Sequence, residues 1–374
     1  MLKSFLEKKT LYYDKIDYDI IANAWQILKS HINLPYVIHI VGTNGKGSTG
    51  RYLAHILVEN NHKVLHYSSP HILEFNERIW INGQDSSDIE LNLTHKKLLT
   101  ILPNDIVEKL TYFEYTTLLA FVLSDGLDYI VLEAGLGGEF DATNVVPNDL
   151  TIITTIGLDH IEFLGDTIKK IATTKMKSCD KVFILGKQVY NDVLMVKEDI
   201  LKDKKEILLD EAINMPFDTL NLPKYLKENL QTVVCVLKYL ELDIVNFRLP
   251  TLFGRCFKLT PNITIDVGHN PLAAQVLVNE FYGKKITLIY NSYKDKDYSE
   301  VLKILKPIIK EVQIININDQ RIVDYSKLKT ICDTLSITVK KFDTLTKNIN
   351  YLVFGSFKVI EEFLKYKDKS NIER

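Results

Sequence analysis

The strongest chemical signal is G-T-N-G-K-G-S-T at positions 42–49, set directly after the apolar run YVIHIVG (35–41) and before a segment that reads as a helix. Small residues let backbone N–H groups approach an anion, and a helix N-terminus adds a favourable dipole. Lys46 can reach the outer phosphates of a nucleotide, and the hydroxyl of Ser48 or Thr49 can touch a magnesium ion. The spacing departs from the commonest phosphate loop, G-x-x-x-x-G-K-[ST], because only Thr43 and Asn44 separate Gly42 from Gly45-Lys46. A Gly-Lys turn alone is often no more than a tight connection. Strand, loop and helix in this order point to nucleotide binding.

Three further residues sit at ends of predicted strands, where open α/β sheets place their ligands. Ser69 ends KVLHYSS, Glu133 lies near the end of DYIVLEAG, and His160 closes TIITTIGLDH. A serine oxygen, a carboxylate and an imidazole can hold magnesium between phosphates, although histidine is an unusual ligand for that hard ion. Each has a plain structural alternative: Ser69 before Pro70 as a turn cap, Glu133 as a lysine's ion partner, His160 as a hydrogen-bonded loop residue. Their shared position at strand ends is what favours a site. Lys175, on the segment DTIKKIATTKMK, is not singled out by its surroundings in the sequence.

Short β-branched runs alternate with amphipathic segments along most of the chain, the pattern of parallel sheets covered by helices. Strands are expected at 35–41, 63–69, 128–135, 150–157 and 181–186, with helices over 46–60, 116–126, 166–177 and 225–241. The pattern restarts with strands at 263–268, 285–292, 312–318 and 336–342. Asn270-Pro271 suits a helix start, asparagine as cap and proline at the first helical position. The Pro- and Gly-bearing stretch NFRLPTLFGR (246–255) separates the two series, so domains are expected over 1–249 and 250–374. The lysine-rich tail, 365–374, reads as a frayed end.

With 374 residues the chain is long enough for two cores. Its 46 basic and 48 acidic residues nearly cancel, which gives no electrostatic reason to expect nucleic acid or an anionic membrane as partner. Cys179, Cys235, Cys256 and Cys332 are far apart and form no C-x-x-C pair, so reduced, mostly buried thiols are expected. No signal-like N-terminus and no span-length apolar run is present, and a cytoplasmic location is expected.

Together these segments resemble the folylpolyglutamate synthase/dihydrofolate synthase branch of the Mur ligase family. The resemblance rests on GTNGKGST, SSPHILEFNERIWING (68–83), TYFEYTT (111–117), LEAGLGGEFDATN (132–144) and IGLDHIEFLGDT (157–167). It continues in order through FGRCFK (253–258), DVGHNP (266–271), KDKD (294–297) and VFGS (353–356). It implies an α/β fold: a phosphate-loop-containing Mur-ligase-like domain followed by a smaller Rossmann-like domain. The implied activity is ATP-dependent ligation of L-glutamate to dihydropteroate, to tetrahydrofolate, or to both, through an acyl phosphate. A monofunctional polyglutamate synthase is the alternative. A nucleotide-driven switch is another, although no N-K-x-D guanine motif is present.

The same resemblance implies a map of roles. ATP would be held by Thr43, Asn44, Gly45, Lys46, Gly47, Ser48, Asn229, Arg255 and Asp266. Magnesium would be held by Ser48, Ser69, Glu133, His160 and Lys175, the last as a carbamate. Lys46, His160, Lys175 and His269 would be catalytic. The pterin would lie against Ile16, Asp17 and Tyr18, Thr111, Tyr112, Phe113 and Glu114, and Phe140, Asp141 and Ala142. A monomer is expected. The sequence departs from the family's pattern at Glu139, where an arginine commonly follows Gly-Gly, and at Met176-Lys177, where small residues are usual. Tyr225-Leu226 and Val267-Gly268 depart likewise.

Overall fold

The computed structural model describes residues 1–10, 18–210, 212, 222–242 and 248–372. Two compact units are present. One comprises Met1–Gly157, Leu164–Asn221 and Leu226–Pro250, the other Leu158–Phe163, Leu222–Tyr225 and Thr251–Arg374. The short segments 158–163 and 222–225 precede position 250 yet group with the second unit.

The first unit is built on an eight-stranded sheet. Its strands are β1 Tyr36–Val41, β2 Val64–Tyr67, β3 Ile79–Ile81, β4 Gln84–Asp85, β5 Tyr129–Glu133, β6 Leu150–Ile153, β7 Val182–Leu185 and β8 Lys205–Ile207. The order is β4-β3-β2-β5-β1-β6-β7-β8. Strands β2, β5, β1, β6, β7 and β8 run parallel, and β3 and β4 add an antiparallel edge. The central strands are apolar almost without interruption because helices cover both faces, and β1 is buried from Val37 to Val41. Ile40 pairs with Glu133 and Val41 with Ile153, so the end of β1 lies between the ends of β5 and β6. That is the switch point where such sheets bind ligands.

The second unit carries a six-stranded sheet: β9 Phe257–Thr260, β10 Ile263–Asp266, β11 Ile286–Tyr290, β12 Ile309–Ile314, β13 Val339–Lys341 and β14 Tyr351–Phe354, in the order β13-β12-β11-β14-β10-β9. All its pairings are parallel except β9 with β10. Around it, Leu288, Val312, Leu352 and Phe354 form a core with Leu302, Leu305 and Leu328 from the covering helices.

Several expectations change. The strand expected at 312–318 starts earlier, after Pro307, and stops before Asn316 and Asn318. As far as Ile372 the tail expected to fray is instead part of a helix, Phe357–Ile372, whose earlier turns bury Val359, Ile360, Phe363 and Leu364, while 373–374 lie outside the described residues. The helix expected at 116–126 runs from Tyr112 to Leu123. Thr111 caps it and Glu114 returns the bond, its carboxylate accepting the Thr111 N–H at 2.8 Å. Asn270 caps Pro271–Glu280 as read from the sequence, accepting the Ala273 N–H at 3.0 Å. All four cysteines are free. Among the described residues no helix is long and apolar enough to cross a membrane.

Candidate functional site

The phosphate loop leaves the end of β1 and opens the helix Lys46–Glu59. Its first part is pinned down. The N–H groups of Thr43 and Asn44 donate to Thr155 O at 2.9 and 3.1 Å, and Thr43 Oγ1 donates to Gly157 O at 2.9 Å. The amides that open the helix have no intrahelical partner, and the helix has no side-chain cap, because its N-cap is Gly45 at φ +92°. A Cβ on Gly45 would come within 2.9 Å of Asn229 Oδ1, and one on Gly42 would come within 1.9 Å of Thr154 Oγ1. The backbone is thus kept bare where an anion approaches a helix dipole, which is what a triphosphate requires.

Side chains from three elements complete this end of the sheet. Lys46 Nζ donates to Gly42 O at 3.2 Å and lies 4.0 Å from Glu133 Oε1. Glu133, buried at the end of β5, also accepts the Ser69 N–H at 3.3 Å. Asn229, from the helix Lys224–Tyr239, donates to Ser48 Oγ at 2.8 Å, while that hydroxyl donates to Gly45 O at 3.0 Å. Ser48, Ser69 and Glu133 present oxygen donors, the chemistry magnesium prefers. Among the described residues no group of three His, Cys, Asp or Glu forms a ready-made metal cage. A donor set this sparse fits magnesium, which usually completes its shell with substrate phosphates and water.

Lys175, on the helix Ile168–Met176, is buried behind the loop. Its unmodified side-chain amine donates to Gly42 O at 2.8 Å and Gly137 O at 3.4 Å. Beside it runs a buried polar chain. His39 Nε2 meets Thr143 Oγ1 at 2.8 Å, and that hydroxyl donates to Asp141 Oδ1 at 2.6 Å. Burial, aided by the charge of Lys175, pushes His39 down to about 3. Burial raises Asp141 above the usual carboxylate range, opposed by its hydrogen bonds and by Lys175. Asp141 also accepts the Leu136 N–H at 2.7 Å, so its carboxylate ties the loop around it.

The residues expected around the pterin divide. Ile16 and Asp17 lie outside the described residues. Tyr18 and Phe140 are exposed and meet ring to ring at 4.9 Å. Tyr112 and Phe113 form the first turn of a capped helix, Glu114 supports the cap, and Ala142 is buried.

His160, His269, Arg255 and Asp266 belong to the second unit. There Asp159, which sequence reasoning passed over, is the hub. It accepts from Lys296 Nζ at 2.7 Å and Asn270 Nδ2 at 3.2 Å, and it lies 3.4 Å from His269 Nε2. Burial alone would raise its pKa, but His269, His160 and Lys296 hold it far below the usual carboxylate range. Lys296 Nζ also lies 3.3 Å from His160 Nε2. The only sequence signal for this cluster was that L-D-H and K-D-K-D each stand in a recognisable segment; nothing in the sequence pairs them. Asp266 is buried and accepts the N–H groups of Gly268 (2.7 Å) and Cys256 (2.8 Å). The Arg255 guanidinium lies over the Phe357 ring at 5.2 Å.

Residues 40–209 match the Mur ligase middle domain, which sets the phosphate cradle within a class of ATP-dependent ligases. Over 96% of this chain and 95% of the relative, the sequence is 31% identical to the dihydrofolate synthase/folylpolyglutamate synthase of Haemophilus influenzae. The crystal structure of Helicobacter pylori folylpolyglutamate synthetase is 38% identical, covers 98% of both chains and superposes with a TM-score of 0.80. A bifunctional folylpolyglutamate synthase/dihydrofolate synthase from Yersinia pestis, complexed with AMPPNP and a manganese ion, is 25% identical with a TM-score of 0.82 over 98% of this chain and 97% of that one. The chain belongs to the dihydrofolate synthase/folylpolyglutamate synthase family of Mur ligases.

Proposed function

We propose that this protein joins L-glutamate to dihydropteroate, to tetrahydrofolate, or to both, using ATP. The observation that carries the reading is the bare, undercapped helix start at Gly45-Lys46 with Lys46 and Glu133 beside it. A carboxylate is a poor electrophile, so an amide forms at neutral pH only after activation. The acceptor's carboxylate attacks the γ-phosphate of ATP, giving an acyl phosphate and ADP. The glutamate amine then adds to the acyl carbon and phosphate departs. The helix amides and Lys46 hold the phosphates in line and stabilise charge on the transferring group. A divalent ion, bound by Ser48, Ser69 and Glu133, supplies further neutralisation of the phosphate charge. No side-chain nucleophile is required.

The remaining roles follow the family resemblance. Asn229, Arg255 and Asp266 serve the nucleotide, and His160 serves the metal. His269 serves the transferred phosphate. Tyr18 and Phe140, with the Thr111–Glu114 turn and Asp141-Ala142, receive the pterin, whose flat ring suits an aromatic wall with few polar groups. Lys175 as a carbamate would become an oxygen ligand; to do so it must leave the Gly42 and Gly137 carbonyls it now donates to, and intact-mass analysis in bicarbonate tests this. The protein acts as a cytoplasmic monomer.

The deciding assay is phosphate release from ATP with magnesium and glutamate, comparing dihydropteroate, tetrahydrofolate and no pterin. Release with both pterins, with glutamate in each product, establishes the two activities. Release with one alone establishes the monofunctional enzyme. Equal release without a pterin refutes the ligase reading.

A further inference from the structure

Arg78 has a geometry that none of these roles uses. Its carbonyl accepts the Ser68 N–H at 2.8 Å, and the adjoining pair Tyr67–Ile79 begins the β2–β3 ladder. It therefore stands opposite the C-terminal end of β2, one residue from Ser69, whose N–H meets Glu133. Strands β2, β5 and β1 are consecutive and parallel, so this is the same edge of the sheet from which the phosphate loop emerges.

The side chain is half-buried and held on two sides. Its guanidinium lies over the Tyr112 ring at 5.1 Å, and Nε donates to His71 Nδ1 at 2.9 Å. Phe75 stands edge-on to Tyr112 at 6.3 Å. Among the described residues no carboxylate lies within ion-pair distance of Arg78. Glu77, next to it in the chain, accepts the N–H groups of Ile72 (2.7 Å), Leu73 (2.7 Å) and Glu74 (2.8 Å) instead. A guanidinium fixed by stacking and by Nε, with its terminal N–H groups left over, is suited to bind a carboxylate side-on.

The two acceptors differ in what they offer such a group. Dihydropteroate has a single carboxylate, the one that is activated. Tetrahydrofolate ends in glutamate, so beside the activated γ-carboxylate it carries an α-carboxylate that stays ionised throughout. We propose that Arg78 binds this α-carboxylate and thereby selects acceptors that already bear glutamate. The assignment rests on the ligase reading above, and it places the fixed negative charge beside the edge at which the reacting carboxylate meets the γ-phosphate.

The test compares tetrahydrofolate with its α-carboxamide analogue, in which the γ-carboxylate is intact, using the full chain with ATP, magnesium and L-glutamate. In the wild type the amide should raise KM by about 10- to 100-fold, the range for one charge-assisted pair, with kcat changed by less than about 3-fold. In R78Q the two KM values should converge, and in R78K, which keeps the charge without the planar fork, the ratio should be intermediate. A wild-type ratio near one overturns the assignment, and so does a ratio that survives in R78Q. Because the wild-type ratio can refute it alone, the test does not depend on R78Q folding. No turnover of tetrahydrofolate by the wild type would overturn this assignment alone if dihydropteroate is still turned over, and the ligase reading with it if neither pterin is.

Discussion

Replacing Gly42 with alanine should disable the phosphate loop, and the size of the effect can be worked out from the loop's surroundings. Gly42 has φ +149°, a conformation that a residue with a side chain adopts only under strain. An added Cβ would stand 1.9 Å from Thr154 Oγ1, 3.1 Å from Thr154 Cβ and 3.2 Å from Thr154 C. Thr154 cannot turn away cheaply, since it is buried and its hydroxyl donates to Val41 O at 3.2 Å. The backbone must therefore move. Gly42 O accepts from Lys175 at 2.8 Å and from Lys46 at 3.2 Å, so both lysines move with it.

The strained φ costs about 1–3 kcal/mol and the overpacking about 1–3 kcal/mol, roughly 2–6 kcal/mol together. Against a typical total of about 5–15 kcal/mol this is a large fraction. G42A should unfold at a clearly lower urea midpoint and lose the stabilisation that ATP with magnesium gives the wild type. Adding Thr154→Ala removes the 1.9 Å contact but leaves the φ strain, so the double variant should recover about half of the lost stability. A G42A protein with the wild-type midpoint and wild-type ATP affinity would refute the account of the loop. Full rescue by Thr154→Ala would show that φ contributes nothing.

Lys46→Ala should lower kcat by about 10²- to 10³-fold while leaving the urea midpoint nearly unchanged, because Lys46 bonds only to loop carbonyls and faces Glu133; near-normal turnover removes it from the phosphate site. His39, at about 3, and His66, lowered by burial and by Arg51, stay neutral in the folded chain, whereas histidines in the unfolded chain protonate near 6.5. The unfolded state thus binds more protons in that window, and stability should fall as pH drops from about 6.5 toward 3. His39→Gln should flatten the slope by up to one proton, and urea midpoints measured across that range would show an unchanged slope if His39 does not contribute. Glu139→Lys should destabilise by no more than about 1 kcal/mol, and Glu139→Lys with Lys177→Glu should recover that loss in low salt, as read from urea midpoints; equal midpoints for the single and double variants would deny the pairing.

The parallel strands and the phosphate loop were legible because their signals are local: continuous apolar runs, then glycines next to a lysine. What escaped was set by distance. The strand Tyr351–Phe354 lies between β10 and β11 in its sheet, yet in the sequence its end was read only as part of the segment VFGS and not as a strand. Thr111-Tyr112-Phe113-Glu114 was read for its chemistry and turned out to begin a helix, since T-x-x-E is also a capping box. The Asp159 cluster depends on Lys296 and His269 arriving from other parts of the chain, and no periodicity encodes such a meeting.

The departures at Glu139 and Lys177 show the same limit. Read singly, an acidic residue in place of a common arginine and a lysine in place of a small residue each look like damage beside Lys175. In the fold Glu139 Oε1 and Lys177 Nζ are 3.2 Å apart, and the Glu139 N–H donates to Thr174 O at 2.8 Å. The loop after Gly138 is thus pinned to the helix that carries Lys175, and a Cβ on Gly138 would meet the Lys175 backbone at 2.8 Å. At 44% and 28% side-chain exposure the ion pair adds little stability. Its effect is local: Glu139 and Lys177 neutralise each other beside the buried Lys175 amine. Two positions that look independent along the chain are thus joined in the fold by one ion pair.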